Sequence, residues 1–128
     1  MKMTILMIED NEQNRYLATF LLEKSGHTVV HAPNGATGLE LAKHNRFDLI
    51  LLDIQIPGMD GYAVARALRD IPLLAAVPII AVTSYAMAGD REKALEAGCN
   101  NYIEKPINPE TFVEEVLRHT HSSREARS

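Results

Sequence analysis

The sequence predicts an α/β fold in which a parallel sheet is covered by helices on both faces. Strand and helix signals alternate along the whole chain, and each strand segment is short and almost continuously apolar. Such strands are typical of a parallel sheet that is buried on both faces. Five strand–helix units, joined by right-handed crossovers, account for nearly the whole length.

The first two units have clear starts and ends. Residues 4–8 (TILMI) predict a buried strand, and the following helix is expected to end at Ser25-Gly26, where glycine suits the left-handed conformation of a helix C-terminus. The second strand is predicted over the β-branched residues 28–32. Asn34-Gly35 opens the second helix, which is expected to continue to about His44.

The third unit contains the longest loop. Its strand is predicted over residues 49–53 and is followed by a turn-rich loop, IQIPGMDG, and a helix. The apolar stripe of that helix is expected to consist of Val64, Ala67, Leu68 and Ile71. A fourth strand is predicted over residues 79–82, and an alanine-rich helix with a thin apolar face over residues 84–97, stopped by Gly98.

A fifth strand is predicted over residues 101–104, before the last helix. Asn108 is a suitable N-cap for that helix, and Pro109 suits its first position. Its inward-facing residues are expected to be Phe112, Val113, Val116 and Leu117. We therefore predict one domain over residues 1–119 and a flexible C-terminal tail over residues 120–128.

Composition argues against several classes of protein. A chain of 128 residues with 46% hydrophobic residues can bury the core of one domain, and a second folded module does not fit. A net charge of -4, with 13 scattered Lys and Arg residues, argues against direct DNA binding. The single Cys99 excludes an internal disulfide. We expect no signal peptide, because no apolar signal region precedes the first strand. We also expect no membrane span, because no apolar stretch is long enough to cross a bilayer. We expect a cytoplasmic protein.

Polar residues stand at the carboxyl ends of four predicted strands. They are Glu9-Asp10, Asp53, Thr83 and Glu104-Lys105. In an open α/β sheet, ligands bind in the crevice beyond the carboxyl ends of the strands. The four endings therefore predict one site that contains carboxylates, a hydroxyl and an ammonium group.

The carboxylates predict a bound cation, because three of them in close proximity cannot all stay ionised without one. Oxygen ligands favour Mg²⁺, and we expect no His or Cys nearby that would favour zinc or copper. Asp10 and Asp53 are candidate direct ligands, and Glu9 is expected to act through water. Read alone, Glu9 and Asp10 are equally explained as acidic residues that favour the first helix dipole. Asp53 is different, because a carboxylate at the end of an apolar run needs a partner.

Lys105 and Thr83 add what phosphoryl transfer requires. Lys105 offers positive charge for the equatorial oxygens, Thr83 offers a hydrogen-bond donor, and Asp53 is the candidate nucleophile. Taken singly, Lys105 is equally explained by a salt bridge to Asp53, and Thr83 by a β-branched strand terminus. The combination on four strands favours a site that transfers a phosphoryl group to Asp53.

These residues resemble those of a known family. Over residues 3–119 the chain is similar to the receiver domain of two-component response regulators, in its stand-alone, single-domain form. The matching motifs are Glu9-Asp10, Asp53 with the following Ile56-Pro57-Gly58-Met59-Asp60-Gly61, Thr83-Ser84, and Tyr102-Ile103-Glu104-Lys105-Pro106. The resemblance implies a flavodoxin-like doubly wound (βα)5 fold whose five parallel strands have the order 2-1-3-4-5.

The resemblance also implies how the site works. Asp53 would accept a phosphoryl group from a phosphohistidine. Mg²⁺ would be held by Asp10, Asp53 and the backbone carbonyl of Gln55, with Glu9 in the outer shell. The Lys105-Pro106 peptide bond would be cis. Such a domain is a phosphoacceptor that catalyses only its own phosphorylation and dephosphorylation.

A switch between two surfaces is a further implication. Thr83 would move toward the phosphoryl group, and Tyr102 would rotate inward, which changes the face formed by the fourth helix, fifth strand and fifth helix. Gln55 and Tyr85 occupy positions that tune the phosphoryl lifetime in the family. The aromatic ring at Tyr85 predicts slow self-dephosphorylation.

The resemblance implies protein partners only. The donor would be a sensor histidine kinase or a histidine phosphotransfer protein, which meets the first helix, where Tyr16, Leu17 and Phe20 mix core and contact roles. The receiver of the signal would be a downstream protein target, reached by docking or by onward transfer of the phosphoryl group. We expect a monomer or a weak phosphorylation-linked dimer.

Three competing functions fit the sequence less well. A flavodoxin-like electron carrier needs a phosphate loop after the first strand, where this chain has acidic residues. An aspartate-nucleophile phosphatase carries a cap, for which this chain is too short. A receiver-like module regulated mainly by partner binding would have lost Asp53, Thr83 or Lys105. No function is assigned to Cys99 or to the histidines, which are His27, His31, His44, His119 and His121.

Overall fold

A computed structural model describes residues 2–56, 58, 60–84 and 88–127 of the chain. Its five strands are β1 (Thr4–Ile8), β2 (Thr28–Ala32), β3 (Leu49–Asp53), β4 (Ile79–Thr83) and β5 (Asn101–Glu104). All neighbouring strands are parallel, in the order β2-β1-β3-β4-β5. The flavodoxin-like (βα)5 fold and its strand order are thus confirmed.

The helices alternate with the strands. They are α1 (Glu12–Lys24), α2 (Gly35–His44), α3 (Gly61–Arg69), α4 (Ala88–Glu96) and α5 (Phe112–Arg127), with a 3-10 helix at Pro72–Leu74 between α3 and β4. The first three helices begin at polar N-caps, each of which accepts a backbone N–H through its side chain. These caps are Asn11, Asn34 and Asp60. None of the helices in the described ranges is long and apolar enough to cross a membrane.

Two apolar layers lie on opposite faces of the sheet. Side chains alternate along a strand, so Ile5 and Met7 of β1 face one layer while Leu6 and Ile8 face the other. The first layer contains buried residues of α1 and α5, and the second contains those of α2, α3 and α4. Helices therefore cover both faces, as near-continuous apolar strands predict.

Two helix boundaries differ from the sequence prediction. Helix α3 ends at Arg69, so Ile71 lies beyond it, in an extended conformation before Pro72 that the proline ring favours. Ile71 still packs against the same core layer. The fourth helix was predicted over 84–97, but α4 extends only from Ala88 to Glu96, and Ser84 lies in a bend before it.

The last helix also begins later than Pro109. Asn108 accepts the N–H of Glu110 through its side chain at 3.0 Å and the N–H of Phe112 through its carbonyl at 2.9 Å, but residues 109–111 form a turn and the regular helix starts at Phe112. At the other end, α5 continues past the predicted domain boundary at residue 119. Thr120 is buried, and its hydroxyl donates to the Val116 carbonyl at 2.7 Å. The flexibility of residues 120–128 stays a prediction.

Candidate functional site

The four strand ends meet at one edge of the sheet. Strands β1 and β3 are neighbours, and Asp53 at the end of β3 pairs with Val82 of β4, one residue before Thr83. Thr83 in turn pairs with Glu104 of β5, which precedes Lys105. The strand register thus brings the residues that the sequence placed on separate strands into one crevice.

Three carboxylates form the floor of this crevice. Glu9, Asp10 and Asp53 each offer an oxygen, and these oxygens lie within 4.8 Å of one another. Asp53 is 2% exposed and Glu9 is 5% exposed, whereas Asp10 is exposed. The predicted acidic cluster is therefore present, with two members buried at the end of the sheet and the third open to solvent.

Lys105 supplies the positive charge of the crevice. Its Nζ lies 3.0 Å from Asp53 Oδ1 and 3.5 Å from Glu9 Oε1. The backbone fixes this position, because the Lys105 N–H donates to the Thr83 carbonyl at 2.8 Å. The following Lys105–Pro106 peptide bond is cis, as the family resemblance implied. Lys105 thus bridges the two buried carboxylates.

The acidic cluster fits a divalent cation. Burial and the neighbouring Asp53 raise the pKa of Glu9 to about 7, although Lys105 acts in the opposite direction. A second buried negative charge beside Asp53 is thus disfavoured at neutral pH unless a cation balances it. The donor set of carboxylate oxygens with an open side toward solvent suits Mg²⁺.

Gln55 has two contacts that connect neighbouring loops. Its N–H donates to Asp53 Oδ1 at 2.9 Å, which helps orient the carboxylate that Lys105 also holds. Its side-chain Oε1 accepts the N–H of Ser84 at 3.0 Å, across the edge of the sheet. Sequence reasoning placed Gln55 at the site through its carbonyl and its position after Asp53, but did not find this side-chain bond.

The two predicted switch residues lie on neighbouring strands. Thr83 is buried at the end of β4, and Tyr102 is half-buried in β5, where its ring packs against the core. The guanidinium carbon of Arg91, on α4, lies 5.7 Å from the centre of the Tyr102 ring. Tyr85, the other predicted lifetime residue, lies outside the described residues.

His31 is a site neighbour that sequence reasoning missed. Its Nε2 lies 2.7 Å from the Glu9 carbonyl oxygen, and its Nδ1 lies 3.2 Å from Nη1 of Arg15. His31 therefore lies against the backbone of the acidic pair, while no histidine of the described residues joins the three carboxylates as a further metal ligand. The parallel pairing of β1 with β2 could have predicted this contact, because it places the end of β2 beside Glu9.

The fold and the site define a class of signalling domains in which an aspartate at the end of the third strand lies beside a lysine and an acidic pair. The chain belongs to the response regulator receiver domain family, whose model matches residues 5–117. This membership, together with the fold, identifies a domain of two-component signal transduction.

Curated relatives match over most of their length. The polar-differentiation response regulator DivK of Brucella anthropi is 42% identical over 116 residues, which cover 91% of this chain and 94% of that protein. DivK of Brucella ovis is 40% identical over 116 residues, which again cover 91% of this chain and 94% of that protein. The similarity to these response regulators therefore extends beyond the site motifs to nearly the whole sequence.

Solved structures agree with the fold. The receiver domain of the sensor histidine kinase PA1611 from Pseudomonas aeruginosa PAO1, solved with a magnesium ion in its active site cleft, superimposes with a TM-score of 0.85 at 34% identity. That match covers 94% of this chain and 99% of the other. The chemotaxis response regulator CheY4 of Vibrio cholerae gives a TM-score of 0.88 at 26% identity, over 93% of this chain and 99% of the other.

Proposed function

We propose that this chain is a single-domain response regulator that is phosphorylated on Asp53 in the presence of Mg²⁺. The observation that carries the proposal is the position of Lys105 Nζ, 3.0 Å from Asp53 Oδ1 in a cluster with Glu9 and Asp10. A buried carboxylate held by a lysine beside further carboxylates has both a nucleophile and the charges that phosphoryl transfer requires.

In the proposed reaction, a carboxylate oxygen of Asp53 forms a bond to phosphorus as the bond between phosphorus and the donor's histidine nitrogen breaks. The Lys105 ammonium neutralises charge on the transferred group, and the Thr83 hydroxyl binds one of its oxygens. The N–H of Gln55 keeps the carboxylate in place through Oδ1. The protein here acts by positioning and electrostatics, since no proton has to be removed from an ionised carboxylate.

The metal site would use the acidic pair and the end of β3. Asp10, Asp53 and the backbone carbonyl of Gln55 would bind Mg²⁺ directly, and Glu9 would act through water. When bound, the ion supplies charge neutralisation for phosphoryl oxygens. The magnesium in the related PA1611 receiver domain supports this assignment.

The output would be a change of surface. Thr83 would follow the phosphoryl group, and Tyr102 would rotate into the space that it leaves, which alters the face formed by α4, β5 and α5. A groove of about 530 Å³ lies on this face, with Tyr102, Arg91 and Phe112 in its walls. Phosphorylation would shift an equilibrium that already exists in the unmodified protein.

The partners would be other signalling proteins in the cytoplasm. A sensor histidine kinase or a histidine phosphotransfer protein would dock on α1, where Tyr16 is 73% exposed and Phe20 is 51% exposed. Their rings stack with centroids 6.5 Å apart, so together they form an apolar patch on α1. The downstream target would be a protein, without direct DNA binding, and the chain would be a monomer or a weak phosphorylation-linked dimer.

Intact mass spectrometry after incubation with a small-molecule phosphodonor and Mg²⁺ tests the proposal. Wild-type protein should gain the mass of one phosphoryl group, Asp53→Asn should gain none, and Asp10→Ala should need much more Mg²⁺. Replacement of Tyr85 by Ala should shorten the phosphoryl lifetime. Equal labelling of wild type and Asp53→Asn, or no labelling of either, would overturn the assignment.

Transfer from a histidine donor tests the α1 surface separately. Tyr16→Ala and Phe20→Ala should slow phosphorylation by a phosphorylated kinase or phosphotransfer protein and leave the rate with a small donor unchanged. Leu73→Ala is a matched control, because Leu73 is also exposed but lies in the 3-10 helix. An equal effect of all three variants would contradict docking on α1.

A further inference from the structure

The carbonyl of Glu9 lies at the junction between the two members of the acidic pair. Beyond the last β1–β2 pair, Ile8 with Ala32, the Glu9 N–H still donates to the Ala32 carbonyl at 3.0 Å. The Glu9 carbonyl then takes its hydrogen bond from a side chain, with His31 Nε2 at 2.7 Å. Glu9 is therefore held by β2 on both sides: its N–H by the β2 backbone, and its carbonyl, which belongs to the peptide unit leading to Asp10, by an imidazole.

Arg15 and the Glu9 carbonyl together determine which nitrogen of His31 carries the hydrogen. A guanidinium only donates, so His31 Nδ1, 3.2 Å from Arg15 Nη1, has to accept. A carbonyl only accepts, so Nε2 has to donate to Glu9. Both partners thus select the same neutral tautomer, and the contact with Arg15 favours the hydrogen bond that fixes the acidic pair.

The backbone is held on both sides of Asp10. His31 holds the carbonyl of Glu9, and the carbonyl of Asn11 accepts the first backbone hydrogen bond of α1, from the N–H of Arg15 at 2.9 Å. Asp10 lies between these two anchors. Asp10 is the exposed member of the cluster, so these two contacts restrain its side chain through the backbone.

We propose that His31, kept in one tautomer by Arg15, is a positioning residue that holds Asp10 in place for the divalent cation. The proposal rests on the proposed function of the carboxylate cluster and assigns a new role to a residue outside it. A preorganised ligand loses less conformational freedom on binding, so the restraint should appear as metal affinity rather than as a change in the chemistry at Asp53.

Two variants of His31 separate the hydrogen bond from the bulk of the ring. His31→Leu removes the donor to Glu9, whereas His31→Gln keeps an N–H donor of similar reach. In calorimetric titrations of the unphosphorylated protein with Mg²⁺, His31→Leu should weaken affinity about fivefold, which corresponds to one hydrogen bond. His31→Gln should recover most of that loss, and His44→Leu, at an exposed histidine of α2, should bind as wild type.

Kinetics with a small phosphodonor provide a second readout. The Mg²⁺ concentration for half-maximal phosphorylation should rise in His31→Leu, while the rate at saturating Mg²⁺ should stay unchanged, because Asp53 and Lys105 are not altered. A wild type that binds Mg²⁺ but is not phosphorylated would contradict the proposed function alone. Equal Mg²⁺ affinities in wild type and His31→Leu, or a loss that His31→Gln shares in full, would overturn the positioning role alone.

The tautomer can be observed without any variant. Long-range ¹H–¹⁵N correlation spectra of the wild type should show His31 with its hydrogen on Nε2 and an unprotonated Nδ1. In Arg15→Met the two tautomers should mix, and Mg²⁺ affinity should fall in the same direction as in His31→Leu. A His31 that carries hydrogen on Nδ1 in the wild type would overturn the proposal, even if the Leu variant fails to fold.

Discussion

Single side chains at the site are each restrained by more than one partner. Asp53 Oδ1 forms an ion pair with Lys105 Nζ at 3.0 Å and accepts the Gln55 N–H at 2.9 Å. Lys105 in turn lies within reach of Glu9, whose pKa is raised by burial and by Asp53. The Asp53 carboxylate is therefore oriented by two donors, as the proposed phosphoryl transfer by positioning requires.

The Gln55 side chain should protect the amide of Ser84. Since Gln55 Oε1 accepts the Ser84 N–H at 3.0 Å, Gln55→Ala removes one neutral hydrogen bond between the segments that follow β3 and β4. Hydrogen exchange of the Ser84 amide, measured by NMR, should then speed up about fivefold, the equivalent of about 1 kcal/mol.

Gln55→Glu is the matched control for this bond, because a carboxylate oxygen can accept the same N–H. Ser84 should remain protected in that variant. If exchange at Ser84 is the same in wild type and Gln55→Ala, the hydrogen bond does not persist in solution.

Residue types at strand ends were sufficient to predict which residues meet at the candidate site. Asp53, Thr83 and Lys105 follow apolar runs, and a parallel sheet necessarily brings such positions to one edge. The contacts of His31 and of the Gln55 side chain were not predictable in this way, because each depends on the register of a neighbouring segment and on a rotamer. Their roles became visible only from distances.

At the scale of elements, the strands were predicted almost to the residue and the helices less well. Strands are bounded by abrupt changes from apolar to polar residues, whereas helix ends depend on local hydrogen bonds. Ser84 illustrates this difference, since its N–H bonds to Gln55 in the bend before α4. Arg69 is another case: at the end of α3 it donates to the Gly98 carbonyl and to Asn100 Oδ1, contacts that no periodicity indicates.

The start of α3 should tolerate no side chain at Gly61. A Cβ built there would lie 2.5 Å from Ile54 Cα, so the loop after β3 would have to move. Gly61→Ala should lower the free energy of unfolding by about 1–3 kcal/mol, the usual cost of overpacking. Urea denaturation monitored by circular dichroism measures this change.

Gly89 provides the opposite case within α4. It is exposed, and a Cβ built there meets nothing within 4 Å. Gly89→Ala should therefore raise stability by roughly 0.5–1 kcal/mol through helix propensity. Equal effects of the two substitutions would contradict the close approach of α3 to Ile54.

At the scale of the whole molecule, strand order locates the site. The chain proceeds from β1 to β2 on one side and then returns to β3 on the other, so the order reverses between β1 and β3. Helix α1 packs on one face of the sheet and α2 on the other, which leaves a crevice at this point. Glu9, Asp10 and Asp53 lie in it.

Stability of the whole domain should depend on pH through His27. This histidine is buried and its Nδ1 accepts the Met3 N–H at 3.1 Å, which requires the neutral ring. Burial lowers its pKa in the folded state. The unfolded chain takes up a proton on His27 near pH 6.5, whereas the folded chain does so only at a lower pH. The contribution of His27 to the free energy of unfolding is therefore full above pH 6.5 and declines as the pH falls toward the folded-state pKa.

A comparison of variants isolates this contribution from that of Glu9, whose raised pKa acts in the opposite direction over an overlapping pH range. His27→Gln should be less stable than wild type at pH 7.5, and the difference should shrink by pH 5.5, because only wild type loses stability through this site. Guanidinium denaturation at both pH values measures the difference, with His44→Gln as a control at an exposed histidine. A constant difference between wild type and His27→Gln would show that His27 does not couple folding to protonation.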